Sequence, residues 1–307
     1  MERLSLSAGL PDRFRGSVVA LGNFDGFHLG HQAVVGRAVA RAAHEGRPAL
    51  VATFDPHPVR FFKPDLPPFR LTSLDQRERL FGQAGADATL VFNFDADLAA
   101  TSAGEFVHLL AEEIGAAAVV TGEDFTFGAR RGGNVHVLRE LGQACGMIAE
   151  TVAAVVSEGE PVSSSRIRDA LAAGDPGTAT HLLTRPFAIQ GTVQHGDKRG
   201  RELGYPTANL VLGDYQRPAY GIYAVRVTLP DGREQAGVAN VGIRPTFEPP
   251  TELLEAFLFD FSGDLYGHTV EVALHHFIRP ERKFSDMDSL AEQMRADEAE
   301  ARRLLLP

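Results

Sequence analysis

Short aliphatic runs alternate with segments of helical periodicity through the first half of the chain. The runs predict strands over 18–22, 49–54, 88–92 and 117–121, and the periodic segments predict helices over Leu29–Glu45, 75–84 and 102–114. Strict alternation of strand and helix is typical of a parallel sheet with helices on both faces. Such sheets bind ligands at the carboxyl ends of their strands, where Gly- and His-rich segments occur in this chain.

The hydrophobic pattern changes in the second half. Helical patterns begin near Ser164 and continue to about Leu183, and from Phe187 the apolar positions recur with period two, in runs separated by Gly, Pro and Asp-Gly. This pattern predicts an antiparallel β-barrel or sandwich. Residues 184–186 are the expected linker, which divides the chain into domains 1–184 and 185–307.

A charge-rich helical pattern over 285–305 predicts a helix that covers the barrel. Ser285 is the expected N-cap. The apolar stripe of this helix is interrupted by Asp297 and Glu298, so its middle turn is the least regular part of the pattern.

Composition narrows the class of protein. The chain has 307 residues, 44% of them hydrophobic, which fits two domains better than one. No stretch approaches about 18 consecutive apolar residues and the N-terminal segment has no apolar signal region, so we expect a cytoplasmic protein without membrane contact. The net charge of −10 argues against nucleic acid as a partner. The single cysteine, Cys145, lies in an apolar helical pattern and is expected to be buried.

The segment after the first predicted strand has the residues of an anion site. It begins with Gly22, Asn23, Phe24 and Asp25 and continues to HLGH, in which His28 and His31 lie three residues apart at a helix start. Their imidazoles can point the same way, and Gly30 leaves room for a phosphate. Together with the N–H groups of the helix N-terminus, they suit the triphosphate of a nucleotide.

HLGH resembles the HxGH signature of the nucleotidyltransferase superfamily, which implies a Rossmann-like fold. The resemblance implies that an acceptor phosphate attacks the α-phosphorus of ATP while the two histidines stabilise charge. A second phosphate-binding element of the superfamily is similar to SSSRIR, which contributes Ser163, Ser164, Ser165 and Arg168. Serines and an arginine at a helix start supply hydroxyls, N–H groups and a cation to phosphates.

Two further segments resemble bacterial FAD synthetases, which are found fused to riboflavin kinase. The segments are TFDPHP (53–58) and GEDFTFG (122–128), and the resemblance implies that Phe54, Pro56, Asp124 and Phe125 help to hold the flavin or adenine. Aromatic faces suit a planar ring system. The family often has Glu where this chain has Asp55 and Thr where it has Ser165, and both changes keep the functional group.

A glycine-rich basic loop in the second half leads into the tetrapeptide PTAN. Gly196, Gly200 and Gly204 allow backbone N–H groups to turn toward an anion, with Lys198 between them and Pro206 opening PTAN. The loop lacks the GxxxxGK[ST] pattern and is therefore not a Walker A motif. It predicts a second phosphate-binding site.

This region resembles riboflavin kinase through four segments, which are GRELGYPTANL (200–210), ANVGIRPTF (239–247), LLEAFLFDFSGDLYG (253–267) and FIRPERKF (277–284). The resemblance implies that Thr207 and Asn209 bind magnesium and that Glu255 is the base for the substrate hydroxyl. Strand alternation places Glu255 on one face with Phe257 and Phe259, so it is not expected to be an ordinary solvated acid. The family commonly has His where this chain has Phe257.

These resemblances, which cover nearly the whole chain, imply a bifunctional riboflavin kinase and FMN adenylyltransferase. ATP is the expected co-substrate of both steps, Mg²⁺ the cofactor, riboflavin and FMN the substrates, and FMN and FAD the products. A monomer or weak homo-oligomer is expected. One alternative is a single-function adenylyltransferase: either a pantetheine-phosphate or nicotinate-nucleotide adenylyltransferase with an unrelated β-domain, or an adenylyltransferase with a flavin-binding β-domain. Another is a flavin-binding regulator without catalysis.

Overall fold

The computed structural model describes residues 1–195, 205–244 and 251–306, and this part of the chain forms two compact units. The first unit contains residues 1–67 and 73–163. The second contains residues 68–72 and the chain from Ser164 onward.

The first unit is built on a six-stranded parallel sheet with strand order β1-β4-β3-β2-β5-β8. Its strands, with two short hairpin pairs, are β1 (Glu2–Ser5), β2 (Val18–Leu21), β3 (Ala49–Asp55), β4 (Ala88–Asn93), β5 (Ala118–Gly122), β6 (Thr126–Phe127), β7 (Gly133–Asn134), β8 (Ile148–Val152), β9 (Val156–Ser157) and β10 (Glu160–Pro161). The four central strands are almost continuously apolar because both faces of the sheet are buried. The predicted parallel sheet is confirmed.

Helices cover both faces of this sheet, and each face has its own apolar core. They are α1 (Leu29–Glu45), α2 (Pro58–Phe62), α3 (Leu74–Gln83), α4 (Ala96–Ala100), α5 (Ala103–His108) and α6 (Val135–Ala144). Helix α1 has the predicted bounds, because His28 caps its start and Gly46 ends it in the left-handed conformation. The predicted helix over 102–114 is wrong in part, since α-helix gives way to a π-turn at Leu109–Glu113.

Two sheet strands were missed and one burial prediction is wrong. The edge strands β1 and β8 carry too few consecutive apolar residues to stand out, since an edge strand needs a weaker apolar pattern than a central one. Cys145 is exposed rather than buried. It is the C-cap residue of α6, beyond the turn whose apolar residues face the core.

The second unit contains a six-stranded antiparallel sheet with order β11-β16-β13-β14-β15-β12. Its strands and helices are α7 (Ser164–Ala172), α8 (Pro176–Leu183), β11 (Phe187–Thr192), β12 (Thr207–Val211), β13 (Gly221–Thr228), β14 (Glu234–Arg244), β15 (Thr251–Leu258), β16 (Thr269–Pro280) and α9 (Met287–Leu305). A bridge between Gln194 and Asn209 joins the two edges of the sheet. The sheet therefore curls into the predicted barrel, and its period-two pattern reflects an inner and an outer face.

Helix α9 covers part of the outer face, where Ala301 and Leu305 pack against Phe259. Asp297, which interrupts its apolar stripe, is 4% exposed and accepts hydrogen bonds of 2.8 and 2.6 Å from the Arg279 guanidinium. The interruption is thus a buried ion pair within a continuous helix. The expected cap is wrong by one residue, because the Asp286 carboxylate, rather than Ser285, accepts the hydrogen bond from Ser289 N–H.

Candidate active sites

The two histidines of HLGH lie together at the start of α1. Their rings are stacked with centroids 3.6 Å apart, and His28 is the N-cap, with Nδ1 3.4 Å from the backbone N of His31. His31 also meets the edge of Phe24, with ring centroids 5.3 Å apart. The sequence thus pairs two imidazoles beside the N–H groups of a helix N-terminus, which is an arrangement suited to anionic phosphate.

Gly30 lies close to the His28 ring and in contact with the backbone at Val162. A Cβ on Gly30 would lie 3.2 Å from the His28 ring and 3.7 Å from the carbonyl oxygen of Val162. Val162 belongs to the same unit, so the residue that precedes SSSRIR lies against the HLGH turn. A larger residue at position 30 would require the His28 ring to shift by a few tenths of an ångström.

The segment before HLGH holds an unusual backbone. Phe24 and Phe27 have φ of 50° and 43°, in the left-handed region that costs non-glycine residues about 1 kcal/mol or more. Both rings are buried and contact Phe81, with centroids 5.7 and 5.2 Å apart. Asp25 lies between them and is also buried. Aromatic packing therefore holds the loop in a conformation that its backbone does not favour.

A buried arginine lies beneath this loop and was missed by the sequence analysis. Arg77 of α3 is 3% exposed and donates hydrogen bonds of 3.0 Å to the Asn23 carbonyl and 2.9 Å to the Thr53 hydroxyl. Its guanidinium is 3.4 Å from the Asp55 carboxylate. The ends of β2 and β3 are thereby joined through one cation. No local pattern marks Arg77, because it lies among charged residues of an amphipathic helix.

The residues expected to hold a flavin lie at the carboxyl edge of the first sheet. Phe54 and Pro56 are at the end of β3, where the Asp55–Pro56 peptide bond is cis, while Asp124 and Phe125 follow β5. Phe125 stacks on Phe127, with centroids 5.7 Å apart. Asp124 is exposed.

Phe54 and Phe125 belong to a larger aromatic cluster that the sequence analysis did not identify. Each ring contacts at least one other ring of the cluster, with centroids between 5.2 and 6.4 Å apart. The members are Phe54, Phe61, Phe62, Phe92, Phe94, Phe106, Phe125 and Phe127. Phe62 is 64% exposed. The cluster therefore reaches the protein surface, and the adjacent Phe61 and Phe62 in a polar segment were the sequence signal for it.

The rest of SSSRIR lies in the second unit. Helix α7 begins at Ser164, Ser165 is exposed in its first turn, and Arg168 follows one turn later. The Arg168 Nε donates a 2.8 Å hydrogen bond to the Phe69 carbonyl, and the guanidinium lies 5.2 Å from the centre of that ring.

The predicted kinase residues share the outer face of the barrel. Asn209 of β12 lies directly opposite Glu255 of β15, and Thr207, which follows Pro206, lies opposite Phe257. Asn209 is buried and Glu255 is half-buried. Opposite residues in an antiparallel pair have Cβ atoms about 5 Å apart. Strand pairing therefore brings Thr207 and Asn209 of PTAN next to Glu255.

Thr207 and Asn209 provide two neutral oxygens, with Oγ1 and Oδ1 3.4 Å apart. Adjacent ligands of an octahedral Mg²⁺ lie about 3 Å apart, so this pair fits two positions of such a shell. In residues 1–195, 205–244 and 251–306, no three His, Cys, Asp or Glu side chains converge to hold a metal ion. Gly196, Lys198, Gly200 and Gly204, the other residues of the predicted kinase ATP site, lie outside the described residues.

The first unit has paired histidines at the edge of a parallel sheet, and the second has a carboxylate beside PTAN on a barrel. Together they are typical of a class of two-domain transferases that use nucleotides. Comparisons with known proteins specify it further. The family described as FAD synthetase matches residues 10–166, and riboflavin kinase matches residues 183–305. The chain belongs to the bifunctional riboflavin kinase/FMN adenylyltransferase family, and it is an enzyme with both transferase activities.

The similarity extends along almost the whole chain. The bifunctional riboflavin kinase/FMN adenylyltransferase of Pseudomonas fluorescens is 41% identical over 95% of this chain and 94% of its own. That of Bacillus subtilis is 38% identical over 94% and 92%. A crystal structure described as a macrolide-efflux protein from Streptococcus pneumoniae has a TM-score of 0.87 and 33% identity, covering 98% of this chain and 99% of its own. Within the described ranges, no helix is both long and apolar enough to cross a membrane.

Proposed function

We propose that the two activities are divided between the two halves of the chain, with FMN adenylyltransferase in residues 1–184 and riboflavin kinase in residues 185–307. The observation that carries this division is the separation of the paired histidines from Glu255 into different compact units. Riboflavin is then phosphorylated to FMN in the second half, and FMN is adenylylated to FAD in the first.

In the adenylylation step, an oxygen of the FMN phosphate forms a bond to the α-phosphorus of ATP. The bond to the β-phosphate breaks and pyrophosphate leaves. His28 and His31 stabilise the negative charge that develops on the transferring phosphate, and the N–H groups at the start of α1 add to this effect. Catalysis consists of positioning and electrostatic stabilisation, without a covalent enzyme intermediate.

We assign the remaining adenylyltransferase residues to the two substrates. ATP is held by the loop residues and by the SSSRIR serines and arginine, which are Gly22, Asn23, Phe24, Asp25, Gly30, Ser163, Ser164, Ser165 and Arg168. The flavin is held by Phe54, Pro56, Asp124 and Phe125, and the exposed rings of the aromatic cluster extend this surface. A flat apolar ring system gains most from aromatic faces that are already fixed by their neighbours.

In the kinase step, the ribityl 5′-hydroxyl oxygen of riboflavin attacks the γ-phosphorus of ATP, and ADP leaves. Glu255 accepts the hydroxyl proton. We propose that Thr207 and Asn209 hold Mg²⁺, which would neutralise charge on the ATP phosphates. Pro206 and the loop residues Gly196, Lys198, Gly200 and Gly204 complete the proposed ATP site.

The net charge of −10 is the basis for proposing that nucleic acid is not a partner. A cytoplasmic location and a monomeric or weakly oligomeric state stay predictions from the sequence.

A double dissociation tests the division of activities. His31→Ala removes one imidazole from the transferring phosphate and is expected to slow FMN adenylylation by about 100- to 1000-fold, so that FMN accumulates. Glu255→Gln removes the base and is expected to slow riboflavin phosphorylation by about 100-fold, while added FMN still becomes FAD. Products are followed by chromatography.

Matched controls come from the same helix, α1, and from β14, the strand paired with β15. His44→Ala changes an exposed histidine in the last turn of α1, and Glu234→Gln an exposed carboxylate on β14. Both should keep both rates. Loss of adenylylation in Glu255→Gln with a normal kinase rate, or normal FAD synthesis in His31→Ala, would show that the activities are assigned to the wrong sites.

A further inference from the structure

Asn240 lies in the same row of the barrel as the proposed kinase residues. It is on β14, directly opposite Glu255 of β15, and Glu255 in turn lies opposite Asn209 of β12. The three side chains therefore share the outer face of the sheet. Neighbouring strands are about 4.8 Å apart, so Asn240 lies within reach of a substrate whose reacting hydroxyl meets Glu255.

The Asn240 amide is held in one orientation. Its Nδ2 donates a 3.1 Å hydrogen bond to Oε1 of Glu281. Because a carboxylate accepts hydrogen bonds and cannot donate them, the amide nitrogen must face Glu281 and the amide oxygen must face away. The amide oxygen is thereby left as the acceptor on the side of Asn240 away from Glu281.

The position of Glu281 depends on a glycine. Gly242 lies two residues beyond Asn240 on the same face, and a Cβ at this position would overlap the Glu281 carboxylate. A larger residue at position 242 would push the Glu281 side chain aside, so the contact between Asn240 and Glu281 as it stands depends on glycine there.

Oδ1 of Asn240 is buried and accepts no hydrogen bond from any residue that the structure describes. A buried acceptor without a donor costs about 1–3 kcal/mol, and such atoms are uncommon in folded proteins. Riboflavin carries hydroxyl donors on every inner carbon of its ribityl chain, next to the 5′-hydroxyl that is phosphorylated.

We propose that Asn240 Oδ1 accepts a hydrogen bond from the 3′- or 4′-hydroxyl of riboflavin, and that Glu281 is the positioning residue that orients it. This inference rests on the proposed role of Glu255, since that role places the 5′-hydroxyl in this row. The pair makes the kinase selective for a hydroxylated side chain, because a substrate without the hydroxyl leaves the buried oxygen unsatisfied.

The experiment removes each partner of the hydrogen bond separately and together. The kinase kcat/KM is measured for wild type and Asn240→Ala with riboflavin, 3′-deoxyriboflavin and 4′-deoxyriboflavin. We expect about a tenfold loss for Asn240→Ala with riboflavin and a similar loss for wild type with one deoxy analogue. Asn240→Ala should show no further loss with that analogue. The proposal would be overturned if each deoxy analogue lowered kcat/KM, relative to riboflavin, by the same factor in wild type and in Asn240→Ala.

Two variants at Glu281 test the orientation. Glu281→Met removes the acceptor that holds the amide and should reduce the discrimination between riboflavin and the analogue. Glu281→Gln can still accept from Nδ2 and should restore much of it. Discrimination unchanged in Glu281→Met would refute the positioning role.

The KM for ATP in the kinase reaction, and the rate of FMN adenylylation, should stay at the wild-type values throughout and serve as controls for folding. Failure of the Glu255 assignment can be told apart from failure of the Asn240 proposal. If Glu255 is not the base, Glu255→Gln phosphorylates riboflavin itself at the normal rate, and no analogue is needed to see this.

Discussion

Replacing Arg77 with methionine should weaken the first unit and its adenylyltransferase activity together. Methionine keeps most of the side-chain volume but removes both hydrogen bonds to Asn23 and Thr53. The Asp55 carboxylate also loses its ion pair, although its side chain is 34% exposed and can be hydrated. Because water can reach the Asp55 carboxylate, losing this ion pair should destabilise the protein less than breaking a fully buried one.

We expect a loss of about 2 to 4 kcal/mol in the free energy of unfolding. The loss comes from the two hydrogen bonds that the charged Arg77 donates, and it is partly offset because methionine does not carry the cost of burying a charge. The Asn23 carbonyl keeps the 2.9 Å hydrogen bond from the Thr53 hydroxyl, so the loop should shift rather than unfold. A shift of about 1 Å at HLGH can cost up to about 100-fold in rate.

The assay combines urea unfolding with both enzyme rates. Arg79→Met is the matched control, because Arg79 lies on the same helix and is exposed. We expect Arg77→Met to lose FMN adenylylation while riboflavin phosphorylation is unchanged, and Arg79→Met to resemble wild type in both. Equal urea midpoints and equal adenylylation rates for the two variants would refute the reasoning, as would equal loss of both activities in Arg77→Met.

Two predictions concern the second unit. Asp297→Ala should lower the free energy of unfolding by about 3–5 kcal/mol, because it leaves Arg279 without its buried partner. Glu300→Ala removes an exposed ion pair on the same helix and should lower it by less than about 1 kcal/mol. Urea unfolding compares the two variants, and equal losses would contradict the argument. Burial and the nearby Glu252 carboxylate raise the pKa of Tyr220 to about 12. As the pH rises, Tyr220 then loses its proton in the unfolded state before it does so in the folded state. Wild type should therefore lose stability relative to Tyr220→Phe between about pH 10 and about pH 12. A constant difference in urea midpoint between the two proteins across that range would contradict this prediction.

The sequence alone determined the two architectures, because both depend on local periodicity. Almost continuous apolar runs separated by amphipathic helices specify a parallel sheet buried on both faces, and period-two runs specify an antiparallel barrel. Helix α1 was predicted with its observed bounds, since its cap residues His28 and Gly46 are adjacent in sequence to the periodic segment. The proximity of the two HLGH imidazoles was equally readable, because both lie within one turn.

Only the tertiary structure decided the contacts between residues distant in sequence. Arg77 lies 54 residues from Asn23, and nothing in its own helix distinguishes it from a solvated arginine. Asp297 looked like a break in an apolar stripe until the fold placed Arg279 opposite it. Buried charges are stable only when paired, and the partner is supplied by the fold.

The row of Asn209, Glu255 and Asn240 shows the same division between sequence and structure. Alternation along β15 predicted the face that Glu255 occupies, because side-chain direction in a strand is a local property. The identity of its neighbours depends on strand order and register, which are set by how the whole barrel closes. The sequence therefore predicted which residues carry the chemistry, and the fold determined which of those residues meet, because pairing across strands is a long-range interaction.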